Sequence, residues 1–234
     1  MSERLARTAA AGMLLACLCA CGERAGVPPS TAELELMGQR ALHGGQVTAT
    51  ETLKYWAAKG LPVAQRELAL VDAGSPRKQD DARLWLARAG AAGDALAAYH
   101  LGDAYYYGKI GVHSDARQAW HWFGVAARGG NTKAAVMLSR MARGGEGGSK
   151  DARAATDWLK LASERGDTQA MLLLANAYAA GDGVERDERQ ASLWFGRAGN
   201  IPRAVVAADE QRPAFDSSRG HRIPRDTMLS WNSY

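Results

Sequence analysis

The chain has 234 residues, 47% of them hydrophobic and 23% charged, with 29 basic side chains against 25 acidic ones and a formal net charge of +4. That length holds one ordinary domain or one array of small repeats, and that apolar content excludes a disordered chain. The basic excess is too thin and too evenly spread to point to nucleic acid.

Residues 1–20, MSERLARTAAAGMLLACLCA, set Arg4 and Arg7 ahead of an uncharged apolar run from Thr8 to Ala20. The run is short for a bilayer span and has the size and flanks of an export signal. All three cysteines, Cys17, Cys19 and Cys21, lie at its end. Leu18-Cys19-Ala20-Cys21 resembles the bacterial lipobox, which implies cleavage before Cys21 and lipid on its thiol. Cys17, after Leu14-Leu15-Ala16, is a second fit, and an ordinary secretory signal ending near Ala20 is the alternative. By the same resemblance, Gly22 favours the periplasmic side of the outer membrane. A chain starting at Cys21 keeps no second cysteine, which excludes a disulfide scaffold. Residues 21–30 then read as a short linker.

From residue 31 to 199 the sequence repeats. Asp115, Asp151 and Asp187 stand 36 residues apart, and Trp122, Trp158 and Trp194 each follow by seven. Such a register is the mark of stacked units rather than of one globular core. An Ala-xxx-Leu pair agrees with it: Ala97/Leu101, Ala134/Leu138 and Ala170/Leu174, with earlier copies at Ala32/Leu36 and Ala64/Leu68. Tyr55 and Trp85 take the aromatic place in those two shorter units, making five. Each unit reads as two helices. In the third, Ala97, Leu101, Ala104, Tyr105 and Gly108 share one arc, and Gly102 admits a close neighbour. Ser114 or Asp115 caps the next helix, which turns Ala119, Trp122, Phe123, Ala126 and Ala127 inward and ends at Gly129-Gly130. Helix pairs this short bury their apolar stripes only by stacking, so the expected fold is an all-α solenoid of helix-turn-helix repeats. Trp158 is expected as a plug between helices.

The units "AAYHLGDAYYYGKIGVHSDARQAWHWFGVAARGG" and "QAMLLLANAYAAGDGVERDERQASLWFGRAG" resemble the Sel1-like repeat family, a relative of the tetratricopeptide repeat. Ala142 in place of a tyrosine and the GGEGGS loop at 144–149 depart from its pattern, and the first two units lack the long loop. In that family the first helices line the concave side, which implies a stripe of Tyr99, Asp103 and Tyr106, then Arg140 and Arg143 beside Val136, then Asn176 between Leu172 and Ala179. Tyr and Arg anchor many protein interfaces. The competing reading is that Tyr106 and Tyr107 cover the next repeat.

Residues 200–234 divide into Arg203–Glu210, expected as a capping turn, and an irregular tail from Gln211. The aromatic end, MLSWNSY, either packs onto the last helices or stays flexible.

Chemistry is sparse. Of five histidines, His100, His113 and His121 fall in one unit without metal-ligand spacing, and the glycines at 144–148 and 181–183 sit at repeat turns with no Lys-Ser/Thr behind them. No G-x-S-x-G elbow is present, and Asp80-Asp81 point apart on a helix. The expectation is therefore a protein without catalytic residues, cofactor or metal, lipid-anchored in the periplasm and gripping a protein partner. The resemblance extends to Sel1-like immunity proteins that neutralise phospholipase toxins of the type VI secretion system. A general envelope adaptor is the alternative, and a peptidoglycan-associated hydrolase a minor one.

Overall fold

The computed structural model describes residues 27–199, which form ten α-helices and one 3-10 turn. The helices are α1 (Thr31–Gly44), α2 (Val47–Ala58), α3 (Pro62–Ala73), α4 (Gln79–Ala91), α5 (Ala95–Tyr107), α6 (Ala116–Arg128), α7 (Thr132–Gly144), α8 (Ala152–Glu164), α9 (Thr168–Ala180) and α10 (Glu188–Arg197), with the 3-10 turn at Pro76–Lys78. They pair as five units, and each second helix of units one to four also packs against the first helix of the next unit. No strand occurs among the described residues. The expected all-α solenoid of five helix pairs is the observed architecture. The leader at 1–20, Cys21 and the tail at 200–234 lie outside the described residues.

The repeated polar residues do backbone work. Asp115, Asp151 and Asp187 each cap a second helix: Asp115 Oδ1, for example, accepts from Arg117 N at 2.9 Å and Gln118 N at 3.1 Å. Asp94, Asn131 and Asp167 cap the first helices of units three to five in the same way. These side chains satisfy amide groups that the helix leaves without partners, which fixes where each helix begins. Gly108, Gly145 and Gly181 end the first helices at φ 67°, 78° and 75°, a left-handed turn that glycine adopts without strain.

The long loops join neighbouring units. A Cβ on Gly147 would strike the carbonyl of Ala116, and one on Gly183 the carbonyl of Ala152. Each loop thus rests on the start of the preceding unit's second helix. The Thr156 hydroxyl lies 3.0 Å from the carbonyl of Asp182, tying α8 to the loop of unit five. The GGEGGS segment departs from the repeat in sequence yet makes the same contact.

The core is a chain of side-chain clusters. Leu34, Leu53 and Leu68 fill units one and two; Leu86 and Leu101 lie between units two and three; Phe123, Leu138, Leu159 and Leu174 fill the rest. Trp85 touches the first two clusters and Trp122 the second and third, so these indoles bridge the seams. Trp158 packs half-buried against the largest cluster, beside the fully buried Leu159. A Cβ on Gly102 would collide with the Phe123 ring, so glycine there lets α6 approach α5.

Two details of unit one differ from the expected register. Ala32 is exposed and Leu36 is 44% exposed, while Leu34, Gly38 and Ala41 face inward. Leu34, Gly38 and Ala41 share one arc of α1, with Gly38 against Glu67 of α3, and the reciprocal capping box of Ser30 and Glu33 fixes where that helix begins. Tyr55 is 56% exposed, because Ala49, Leu53 and Ala57 make the buried stripe of α2.

Candidate partner-binding surface

The candidate stripe occupies the fifth, ninth and twelfth positions of the first helices. In unit three Tyr99 is half-buried, with its ring centroid 5.8 Å from that of Phe123. Asp103, also half-buried, pairs with Lys109 at 3.0 Å, and the Lys109 ammonium stands 4.8 Å from the centre of the Tyr107 ring. In unit four Arg140 is half-buried and reaches Met137 Sδ at 3.6 Å. Arg143 bridges to Asp182 in the loop of unit five at 3.3 Å, both side chains 42% exposed. Asn176, in unit five, is exposed.

Tyr106 corrects the expectation. It is only 3% exposed, its ring 4.8 Å from Tyr107 and 6.2 Å from Phe123. Burial, and then a hydrogen bond with Glu146 in the loop of unit four, raise its pKa above the ordinary phenol value. A single helix wheel assigns one packing face, whereas a helix inside a solenoid has a neighbour on each side and buries a wider arc. Tyr106 therefore covers the next repeat, and its truncation would open the core.

In units one and two the fifth position of the stripe carries charge, while the ninth and twelfth, Gln39 and Leu42 on α1 and Leu70 and Ala73 on α3, are exposed or half-buried. Arg66, at the fifth position of α3, bonds Glu35 of unit one at 2.6 Å, its neighbour Glu67 at 2.9 Å and Asp94, the cap of α5, at 2.9 Å. The side chains of Arg66, Glu67 and Asp94 are buried and that of Glu35 is part-exposed. A Cβ on Gly38 would overlap the Glu67 carboxylate, so α1 yields room for it there. Burial raises the Glu67 pKa more than Arg66 lowers it. His100, on α5, is pushed down to about 4, first by burial and then by the charge of Arg66. Sequence reasoning missed this cluster. Arg66 is 28 residues from Asp94 and 31 from Glu35, and only stacking at the repeat period brings them together.

Among the described residues no three His, Cys, Asp or Glu side chains are grouped to hold a metal ion. Nor is any described helix long and apolar enough to cross a membrane. The open positions run from Tyr99 to Asn176 across units three to five, a mixed aromatic, basic and polar strip backed by rigid helices.

Helix pairs stacked in this way define an α-solenoid, a fold typical of protein–protein interaction scaffolds. The Sel1 repeat model matches residues 62–94, 95–131, 132–167 and 168–200, more than half of the chain, and the chain belongs to the Sel1 repeat family. The pair α1 and α2 precedes the matched stretches. A protective antigen of uropathogenic Escherichia coli with an SLR fold is similar in structure, at TM-score 0.65 and 27% identity over 75% of this chain. The similarity spans 39% of that protein, so this chain corresponds to well under half of its length. A Sel1 repeat protein from Oxalobacter formigenes shares the fold at TM-score 0.59 and 24% identity, over 76% of this chain and 73% of that one. No curated protein sequence matches the chain.

Proposed function

We propose that the protein is a non-enzymatic, protein-binding scaffold that grips its partner along units three to five. The observation that supports this reading is the make-up of the stripe: Arg66 and its carboxylates fill its fifth position in unit two, and at the ninth and twelfth positions, where unit two has Leu70 and Ala73, units three to five set the part-exposed or exposed polar side chains of Asp103, Arg140, Arg143 and Asn176. A half-buried arginine held by its neighbours loses little conformational freedom on binding, which is how interface anchors gain their weight. The leader and Cys21 support a lipid anchor at the periplasmic face of the outer membrane. Within that compartment, the reading we favour is an immunity protein that covers the active-site mouth or docking surface of a phospholipase toxin. A general envelope adaptor is the second reading, supported by the same surface.

The test is a pull-down from envelope extract with the lipid-free chain, followed by titration of Arg140→Ala/Arg143→Ala against the captured protein. Loss of roughly 2 kcal/mol or more of binding at either arginine is expected for an anchor. Capture of a phospholipase, inhibited stoichiometrically and no longer neutralised in cells carrying the double variant, supports the immunity role. Capture of an assembly factor favours the adaptor. Full affinity in a folded double variant removes this stripe from consideration.

A further inference from the structure

Away from the partner stripe, the loops of units three and four enclose an open cleft of about 840 Å³. Arg83 on α4, His113 in the loop of unit three and Arg117 on α6 line it, over Tyr105 and Val112, with the bare backbone of Gly147 and Gly148 on the far side. Arg83 pairs with Asp80 at 3.1 Å, one turn away on the same helix and 81% exposed, a contact that water and salt weaken. His113 and Arg117 are exposed and make no ion pair among the described residues. The carboxylate in the wall, Asp115, is turned to the helix: its Oδ1 accepts from Arg117 N and Gln118 N at 2.9 and 3.1 Å. The start of α6 is thereby capped from within the chain, and the cleft's positive charge comes from side chains.

The repeat itself does not demand these cations. Unit five forms a cleft at the same place from Tyr178, Val184, Asp187 and Gln190, and there Glu185 stands where unit three has His113. Thr156, at the fifth position of α8, takes the place that Arg83 has on α4, and its hydroxyl serves the loop backbone instead. We infer that the cleft of unit three binds a phosphate-class oxyanion, carried on an ester whose organic part lies over Tyr105 and Val112. Arg83, His113 and Arg117 bring N–H donors from α4, the loop and α6. Donors on three sides suit a tetrahedral oxyanion, whereas a planar carboxylate accepts mainly in one plane, and a guanidinium matches two phosphate oxygens at once. The cleft is wider than phosphate alone, and half-buried Tyr105 and Val112 offer the remainder of the ligand an apolar floor. The site shares no residue with the partner stripe, so either can fail without the other.

Titration of the lipid-free chain with inorganic phosphate, read by amide NMR shifts, tests the site, with acetate at matched ionic strength as the control. Saturable shifts are expected at residues 111–117 and 147–148 with phosphate and not with acetate, and none at 184–190 in unit five. Arg83→Gln and Arg117→Gln should each weaken phosphate binding about tenfold, the loss expected for a charge-assisted hydrogen bond, and leave the denaturant melt nearly unchanged. Vesicles of phosphatidylglycerol then separate two sources of the same chemistry. Retention that inorganic phosphate displaces and the double variant loses assigns a lipid headgroup; saturable phosphate binding without such retention assigns a soluble phosphate ester. Either result supports the site. Shifts that match in phosphate and acetate, that grow without saturating, or that persist in both variants would overturn the inference.

Discussion

Units one to three share a buried charge cluster in addition to their apolar core, whereas the largest core cluster, across units three to five, is built from aromatic and aliphatic side chains. Across units one to three Arg66 gathers Glu35, Glu67 and Asp94; farther along the array Phe123, Tyr106 and Trp158 lie against alanine and leucine. The helices, caps and turns are shared, so the difference resides in the side chains at equivalent positions. One backbone frame accepts either solution. The ionic seam is specific but fragile, since an arginine among three carboxylates has no substitute once removed. The apolar seam tolerates change and leaves neighbouring polar positions open to a partner.

The sharpest way to break the comparison is Arg66→Ala. It leaves Glu67 and Asp94 buried without their cation, and removal of one partner from a buried ion pair costs about 3–5 kcal/mol. A denaturant melt measures it, and a loss below about 1 kcal/mol would show that the cluster does not hold the first three units together.

On the apolar side, Trp158→Ala removes a half-buried indole, for which about 2–3 kcal/mol is expected, less than the full cost of a buried large aromatic. The same melt checks it. If the cost equals that of Arg66→Ala, the two seams are equally demanding and the contrast fails.

His100 stands at the boundary and titrates with the ionic seam. Its pKa falls from 6.5 to about 4 in the fold, through burial and then Arg66, with Asp94 raising it and Lys109 and Lys133 lowering it further. The unfolded chain therefore takes up this proton at higher pH than the folded one. Stability present above pH 6.5 should be lost progressively as pH falls toward about 4. Glu67 acts in opposition: its folded pKa lies above 4.5, so its protonation on acidification favours the fold and softens the slope. Replacing His100 by Gln should flatten the acid limb of a stability–pH profile, and an unchanged limb would exclude His100 as its source.

Much of this was legible from spacing alone in the second half of the chain. Asp115, Asp151 and Asp187 recur because each begins a helix, and Gly108, Gly145 and Gly181 recur because each ends one at positive φ. Backbone demands of that kind permit few residue types, so they survive as a visible period. Unit one hid its register: an Ala-xxx-Leu pair fits many helices, and the buried arc there is Leu34, Gly38 and Ala41. Tyr106 was misplaced because the seam that buries it belongs to two units at once. The Arg66 cluster had no local signature, being assembled from three units.

The smallest expected effect belongs to Arg143. Its ion pair with Asp182 is 42% exposed at both ends, and exposed pairs contribute about 0–1 kcal/mol, so Arg143→Ala should barely move a denaturant melt. A charge pair that holds so little of the fold, placed where the loop of unit five meets the stripe of unit four, leaves its arginine available to a partner's acidic or carbonyl groups. Arg66 and Arg143 thus make opposite forecasts on one scaffold: removal of the first should weaken folding throughout, removal of the second should weaken binding alone. Melts of the two variants in parallel, with titration of Arg143→Ala against the captured partner, read both. A loss of several kcal/mol of stability in Arg143→Ala would show that the second half of the array also depends on charge, and the contrast with the Arg66 cluster would disappear.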